Sequence, residues 1–187
     1  MNKHLVFLLE EPSAKEMLDG LLPRLVPEVS YRCIVFEGKQ DLEKNLVKKM
    51  RGYRVPNTQF IVLRDQDAGD CYTIKQKLTE LCQTANQPNT LVRIACRELE
   101  SWYLADLKAV ERGLKISGLA KFQHNKKYRS PDYLQSPSKE LKTLTRAKYQ
   151  KILGSRSIGF NLELHNKRSN SFRVFIESIQ KMCIDSH

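Results

Sequence analysis

A parallel α/β fold is what this sequence predicts, and three observations predict it. Four short runs with the bulk of buried strands, Leu5 to Leu9, Tyr31 to Phe36, Phe60 to Leu63 and Leu91 to Ala95, recur along the first half of the chain. Single amphipathic helices separate them, and strands joined in that way pair in parallel through right-handed crossovers. Three of the four runs end in carboxylates: Glu10 and Glu11, Asp65 and Asp67, Glu98 and Glu100. Functional groups in open parallel sheets gather outside the carboxyl ends of the strands, so a fold that brings these ends together accounts for the coincidence.

The elements follow in order. After Glu10 and Glu11, Pro12 and Ser13 open a helix, with Ser13 as its N-cap and Glu16 as the capping-box partner. Met17, Leu18, Leu21 and Leu22 share one face of it before Pro23 and Pro27 end it. Beyond the second strand and Gly38, a helix from Asp41 to Met50 buries Leu42, Leu46 and Met50 and leaves Lys44, Lys48 and Lys49 in solvent. The Phe60 run stops at Arg64 and Asp65. Side chains alternate along a strand, so Asp65 and Asp67 point the same way if the strand geometry continues. Two carboxylates held side by side repel unless a cation lies between them, which makes a divalent-metal site the first functional reading. The next helix carries Ile74, Leu78, Leu81 and Cys82 at helical spacing; Asp70 reads as its N-cap in preference to a further ligand, because the helix needs a cap. The fourth strand runs into Cys-Arg-Glu-Leu-Glu-Ser-Trp-Tyr-Leu, where Trp102 and Tyr103 read as core anchors of the junction.

Charge divides the chain. Met1 to Ala105 holds 15 Lys and Arg against 14 Asp and Glu, and Asp106 to His187 holds the remaining 17 against 7. The expected organisation is therefore a catalytic core over 1–105 and a basic, mainly helical extension over 106–187 packed on it, with helices at Lys139 to Leu153 and Phe172 to Cys183. A basic region beside an acidic cluster fits a phosphate-backbone substrate. Lys126, Lys127, Arg129, Arg146 and Lys148 are the candidate nucleic-acid contacts. Tyr128 and Tyr133 lie among the first of them, a mixture that suits single-stranded nucleic acid and suits an ordinary surface loop equally well. His124 and His165 show no metal spacing. Five scattered cysteines without a Cys-x-x-Cys pair read as thiols in a reducing compartment. With no signal-peptide pattern and no apolar stretch near the roughly 20 residues of a membrane span, the expected location is the cytoplasm.

These residues resemble the TOPRIM domain, the metal-binding module of topoisomerases, primases, recombination proteins and OLD-type nucleases, in which a Glu follows the first strand and an Asp-x-Asp a later one. Leu-Glu-Glu-Pro-Ser-Ala-Lys-Glu-Met-Leu is similar to the opening seen in OLD-like nucleases and places the family glutamate on Glu10. Glu11 stands where glycine is usual, and Ala14 where an acid is common. Glu98, Glu100 and Trp102, running into Leu104 and Asp106, and the Ser169-x-Ser171-Phe172 stretch resemble small stand-alone TOPRIM-like proteins encoded beside AAA or SMC-like ATPases in bacterial defence loci. The resemblance implies a TOPRIM-like (Rossmann-like) central parallel sheet of four strands flanked by helices. It also implies a metal-dependent nuclease acting on DNA or RNA, the effector of an antiphage system with an ATPase partner.

The chemistry can be stated without the family. Mg²⁺, or Mn²⁺ in its place, keeps several waters and takes one or two carboxylates plus substrate phosphate oxygens. Glu10, Asp65 and Asp67 would supply these, and Glu100 or Glu98 would complete a second position. Glu11 reads as a helix-start charge or a group supporting the ligands. The chain has no G-x-x-x-x-G-K-[ST] loop, so any ATP dependence would come from a partner. A non-catalytic regulatory or toxin-neutralising subunit that binds an ATPase or RNA is the alternative, and a homo-oligomer is left open.

Overall fold

The computed structural model describes residues 3–184. β1 (His4–Leu9), β2 (Ser30–Val35), β3 (Thr58–Asp65) and β4 (Leu91–Ala95) form one sheet in the order β2-β1-β3-β4. All three pairings are parallel, with Leu9 opposite both Val35 and Leu63, and Asp65 opposite Ala95. Alternation along β1 sends Leu5, Phe7 and Leu9 into one core and Val6 and Leu8 into the other, all without solvent exposure. This two-sided burial explains why β1 and the Phe60 to Leu63 run of β3 read as unbroken apolar runs; the edge strands β2 and β4 are less buried and carry Arg32 and Arg93.

The crossovers α1 (Pro12–Leu25), α2 (Lys39–Gly52) and α3 (Cys71–Thr84) divide between the faces. α1 packs in the core of Leu5, Phe7 and Leu9, whereas α2 and α3 pack in that of Val6 and Leu8. The chain thus leaves β1 on one side and β3 on the other. That reversal opens a crevice between the carboxyl ends of these two neighbouring strands.

Two expectations about α1 are corrected. The helix begins at Pro12, whose fixed φ suits the first helical position, so Ser13 is already inside it and donates to Glu11 Oε1 at 2.6 Å. Glu16 makes no capping box and pairs instead with Arg156 at 2.6 Å. Pro23 does not end the helix, which continues to Leu25. A proline in the last turn removes only one helical bond, and Leu22 and Leu25 remain buried.

Beyond β4 come α4 (Glu100–Leu104), α5 (Leu107–Leu114), three short 3-10 turns, α6 (Pro137–Leu144), α7 (Lys151–Gly159) and α8 (Asn170–Ile184). The single helix expected over Lys139 to Leu153 is broken, because Arg146 and Ala147 adopt positive φ of 50° and 60°. Thr145 Oγ1 accepts from Tyr149 N–H across the break at 3.2 Å. All these helices cover the α1 face, and one continuous core joins Leu5, Phe7 and Ile61 to Trp102, Leu141, Ile158 and Phe175.

Candidate functional site at the strand ends

Glu10 follows β1 and Asp65 ends β3, which places them on the two sides of the crevice. The backbone holds Glu10 firmly: its carbonyl accepts from Gly38 N–H at 2.9 Å, and its Oε2 accepts from the Asp65 amide at 3.3 Å. Burial and then the Asp67 charge lift the Glu10 carboxyl above its usual range, against the opposing pull of Arg64 and the Asp65 amide. Asp65 keeps a partly open edge but is crowded by protein. Burial, followed by the charges of Glu100, Glu11 and Glu10, pushes its carboxyl well above the ordinary value.

Glu100 enters from the first turn of α4 and has no solvent exposure. Its Oε1 accepts from the Tyr149 hydroxyl at 2.8 Å, while Oε2 is buried with no hydrogen-bond partner. Burial raises this carboxyl too, and the Tyr149 bond and the Lys151 charge only reduce the effect. Trp102 and Tyr103, on the same turn, lie in the core; the Trp102 indole donates to Ser171 Oγ at 2.8 Å and packs on Phe172 and Phe175. Ser169 and Ser171 bind Asp132, so the Ser-x-Ser-Phe stretch ties α8 to the chain before α6 and does not touch the carboxylates.

Lys151 is the residue that sequence reasoning missed. It opens α7 and pairs with Glu11 Oε2 at 2.6 Å. Burial works to lower its ammonium, but the Glu11 hydrogen bond and the charges of Glu11, Glu100 and Asp65 carry it above its ordinary value. No spacing in the sequence ties Lys151 to Glu11; the link exists only because α7 lies along α1.

The other candidates are dispersed. The strand geometry ends at Asp65, and Asp67 sits in a turn with φ of 55°. It therefore does not share the Asp65 direction, and its carboxylate pairs with Lys39 at 2.7 Å at the site's outer edge. Glu98 Oε2 accepts from Ser138 N–H at 2.7 Å, satisfying the amino end of α6. Asp70 caps α3, accepting from the Thr73 amide at 2.7 Å and its hydroxyl at 2.8 Å. Lys127 is held by Glu140 at 2.6 Å, Lys126 is exposed, and Arg146 and Lys148 line a cavity of about 620 Å³ shared with Lys115 and Lys121. Arg129 lies elsewhere, between two other cavities.

The arrangement is a row running from Asp67 through Glu10 to Asp65 and Glu100, with Glu11 and Lys151 alongside. Among the described residues no three carboxylate, imidazole or thiol groups close on a single point. The donor set nonetheless fits a hard divalent cation: every donor is a carboxylate oxygen, the buried Glu100 Oε2 is unpartnered, and such an ion needs only one or two carboxylates beside water and phosphate.

These features define a parallel α/β protein with a carboxylate site at its topological switch point. The chain belongs to the family described as a domain of unknown function, DUF4276, whose model matches residues 9–180. It is structurally similar to the C-terminal region of the Burkholderia pseudomallei OLD protein, with 14% identity over 96% of this chain and 98% of that one and a TM-score of 0.49. No curated protein matches the sequence.

Proposed function

We propose that this protein hydrolyses phosphodiester bonds in DNA or RNA with divalent-cation chemistry along the carboxylate row, each ion taking one or two of Glu10, Asp65, Asp67 and Glu100 beside water and substrate phosphate oxygens. The observation that carries this reading is the crowding of buried carboxylates at the switch point, which Arg64 and Lys151 offset only in part: Glu10, Asp65 and Glu100 are all raised by burial and by neighbouring carboxylates, and one buried oxygen of Glu100 has no partner. A bound Mg²⁺ or Mn²⁺ would act there as a Lewis acid toward a phosphoryl oxygen. Lys151 would face the negative charge on the phosphoryl oxygens as the water oxygen bonds to phosphorus, giving up a proton to solvent, and the ester P–O bond breaks, its oxygen leaving with a proton taken up from solvent. Tyr149 and Lys151 would keep Glu100 and Glu11 in place. The order of the acidic motifs along the chain, which resembles that of TOPRIM proteins, supports the same reading. Work with an ATPase partner in antiviral defence, in the cytoplasm, belongs to this proposal.

A non-catalytic partner-binding subunit is the second reading, favoured by the Lys39 ion pair that already neutralises Asp67. One experiment separates the two. Purified protein incubated with plasmid, single-stranded DNA and RNA in Mg²⁺ or Mn²⁺ should cut at least one of them, and Glu10→Gln with Asp65→Asn should abolish the cutting. Unchanged cutting in that double variant would sink the assignment.

A further inference from the structure

The structure contains a basic groove that the strand-end site does not use. One cavity, of about 820 Å³, lies between α5 and the segment before α8 and is lined by Lys108, Arg112, Arg129, Lys167 and Arg168, all exposed. Among the described residues, Lys108, Arg112, Lys167 and Arg168 make no ion pair. Two carboxylates share this cavity. Asp106 is occupied by the Ala109 and Glu163 amides at 3.0 and 2.8 Å, and Glu163 is exposed. The positive charge therefore greatly exceeds the negative.

A second cavity, of about 580 Å³, adjoins the first, with Arg129, Lys167 and Arg168 lining both; its one carboxylate, Asp132, is occupied by the Ser169 hydroxyl at 2.6 Å and the Ser171 amide at 2.8 Å. Its lining includes Gln66 and Arg97, which hold the Asp67 loop: Asp67 N–H donates to the Arg97 carbonyl at 2.7 Å, and Arg97 N–H donates to Gln66 Oε1 at 3.0 Å. Tyr133 lines the same stretch with 84% of its surface exposed, a large aromatic face with nothing packed on it. A run of unpaired cations leading to the edge of the carboxylate row, with an open aromatic face on the way, matches a flexible chain of phosphates whose bases are free to stack.

We propose that single-stranded nucleic acid lies in this groove, from Arg112 and Lys108 past Arg168, Arg129 and Tyr133 to Arg97, and so reaches the Asp67 edge of the site. This assigns a substrate form and path to the hydrolytic reading and rests on it for the direction toward the carboxylates. It also separates the Arg129 groove from Arg146 and Lys148, which line a different cavity.

The test is fluorescence anisotropy of labelled oligo(dT) and oligo(U) in EDTA, so that no cutting enters the measurement. Arg112→Glu with Arg168→Glu should weaken binding about tenfold or more and lower the slope of log affinity against log salt by about 1.4, near 0.7 per lost phosphate contact. Tyr133→Ala should weaken it while leaving the salt slope unchanged. Arg146→Glu with Lys148→Glu, a pair of the same charge change outside the groove, should leave binding within about twofold. The altered residues are surface groups, and an unchanged melting temperature checks that each variant is folded. Equal weakening by both double variants, no weakening by the groove variant, or equal affinity for a duplex of the same length would each overturn the proposal. Binding that follows the groove without any cutting in Mg²⁺ leaves the groove standing and removes the hydrolytic reading; cutting indifferent to the groove variant does the reverse.

Discussion

Glu100 is a fully buried carboxylate with one oxygen left unpartnered. Its side-chain hydrogen bond comes from the Tyr149 hydroxyl, so Tyr149→Phe removes that partner from a fully buried carboxylate and should cost about 1–3 kcal/mol in chemical denaturation. The sign of the pH dependence follows from the same groups. Glu10, Asp65 and Glu100 have folded values above their unfolded ones, so the folded chain binds protons more tightly. Their contribution to stability is full below about pH 4, the unfolded carboxylate value, and is lost as pH rises through the folded values. A cation that takes the protons' place should therefore stabilise the protein more at pH 8 than at pH 5. Melting temperatures in Mg²⁺ and in EDTA should diverge as pH rises, and Asp65→Asn should shrink the gap. Asp70→Ala offers the contrast: it removes the α3 cap and should lower the melting temperature equally with and without Mg²⁺. A loss of the Mg²⁺ response in that variant would return Asp70 to the ligand set.

At the scale of elements, α7 decides whether Lys151 reaches the site. It lies against α1 and α5 at distances that only glycine permits. A Cβ on Gly159 would stand 2.5 Å from the Met17 carbonyl oxygen, and one on Gly20 would stand 2.6 Å from the Phe160 nitrogen. Arg24 completes the contact, donating to the Gly159 carbonyl at 2.8 Å and the Leu162 carbonyl at 3.0 Å at the end of α7. The neighbours are backbone atoms and cannot turn aside. Gly159→Ala should therefore cost about 1–3 kcal/mol by forcing the two helices apart. Because that displacement carries Lys151 away from Glu11, it should also lower activity more than the lost stability accounts for, as measured at a temperature where the variant remains folded. The break before α7 belongs to the same device. Without the turn at Arg146 and Ala147 a continuous helix would not deliver both Tyr149 to Glu100 and Lys151 to Glu11.

Taken whole, the molecule was legible where physics acts locally and opaque where contacts between distant segments decide. Strands buried on both faces announce themselves as apolar runs, and the acids that end them lie at the crevice for the same topological reason that the strands are parallel. Asp67 does not share the Asp65 direction because the strand stops two residues earlier than alternation needs, and Lys151 was invisible because its partner is set by packing of α7 on α1. The charge step at Asp106 marks a change of surface and not of core: Leu5, Phe7, Leu9, Ile61 and Leu63 on the sheet share one apolar cluster with Leu107, Leu141, Ile158, Phe172 and Phe175. A chain ending at Ala105 would keep only α1 and α4 on that sheet face and would leave the rest of it, with the Trp102 ring that packs on Phe172 and Phe175, open to water. Burial of each such side chain is worth about 1.5–3 kcal/mol, against a total stability of only about 5–15 kcal/mol for a whole domain. Residues 1–105 alone should therefore show no cooperative thermal transition and should bind the dye ANS strongly, whereas adding 106–187 as a separate chain should restore a transition if the two halves associate. A sharp, dye-free transition in 1–105 by itself would show that the acidic core is a unit in its own right and that the helices merely cover it.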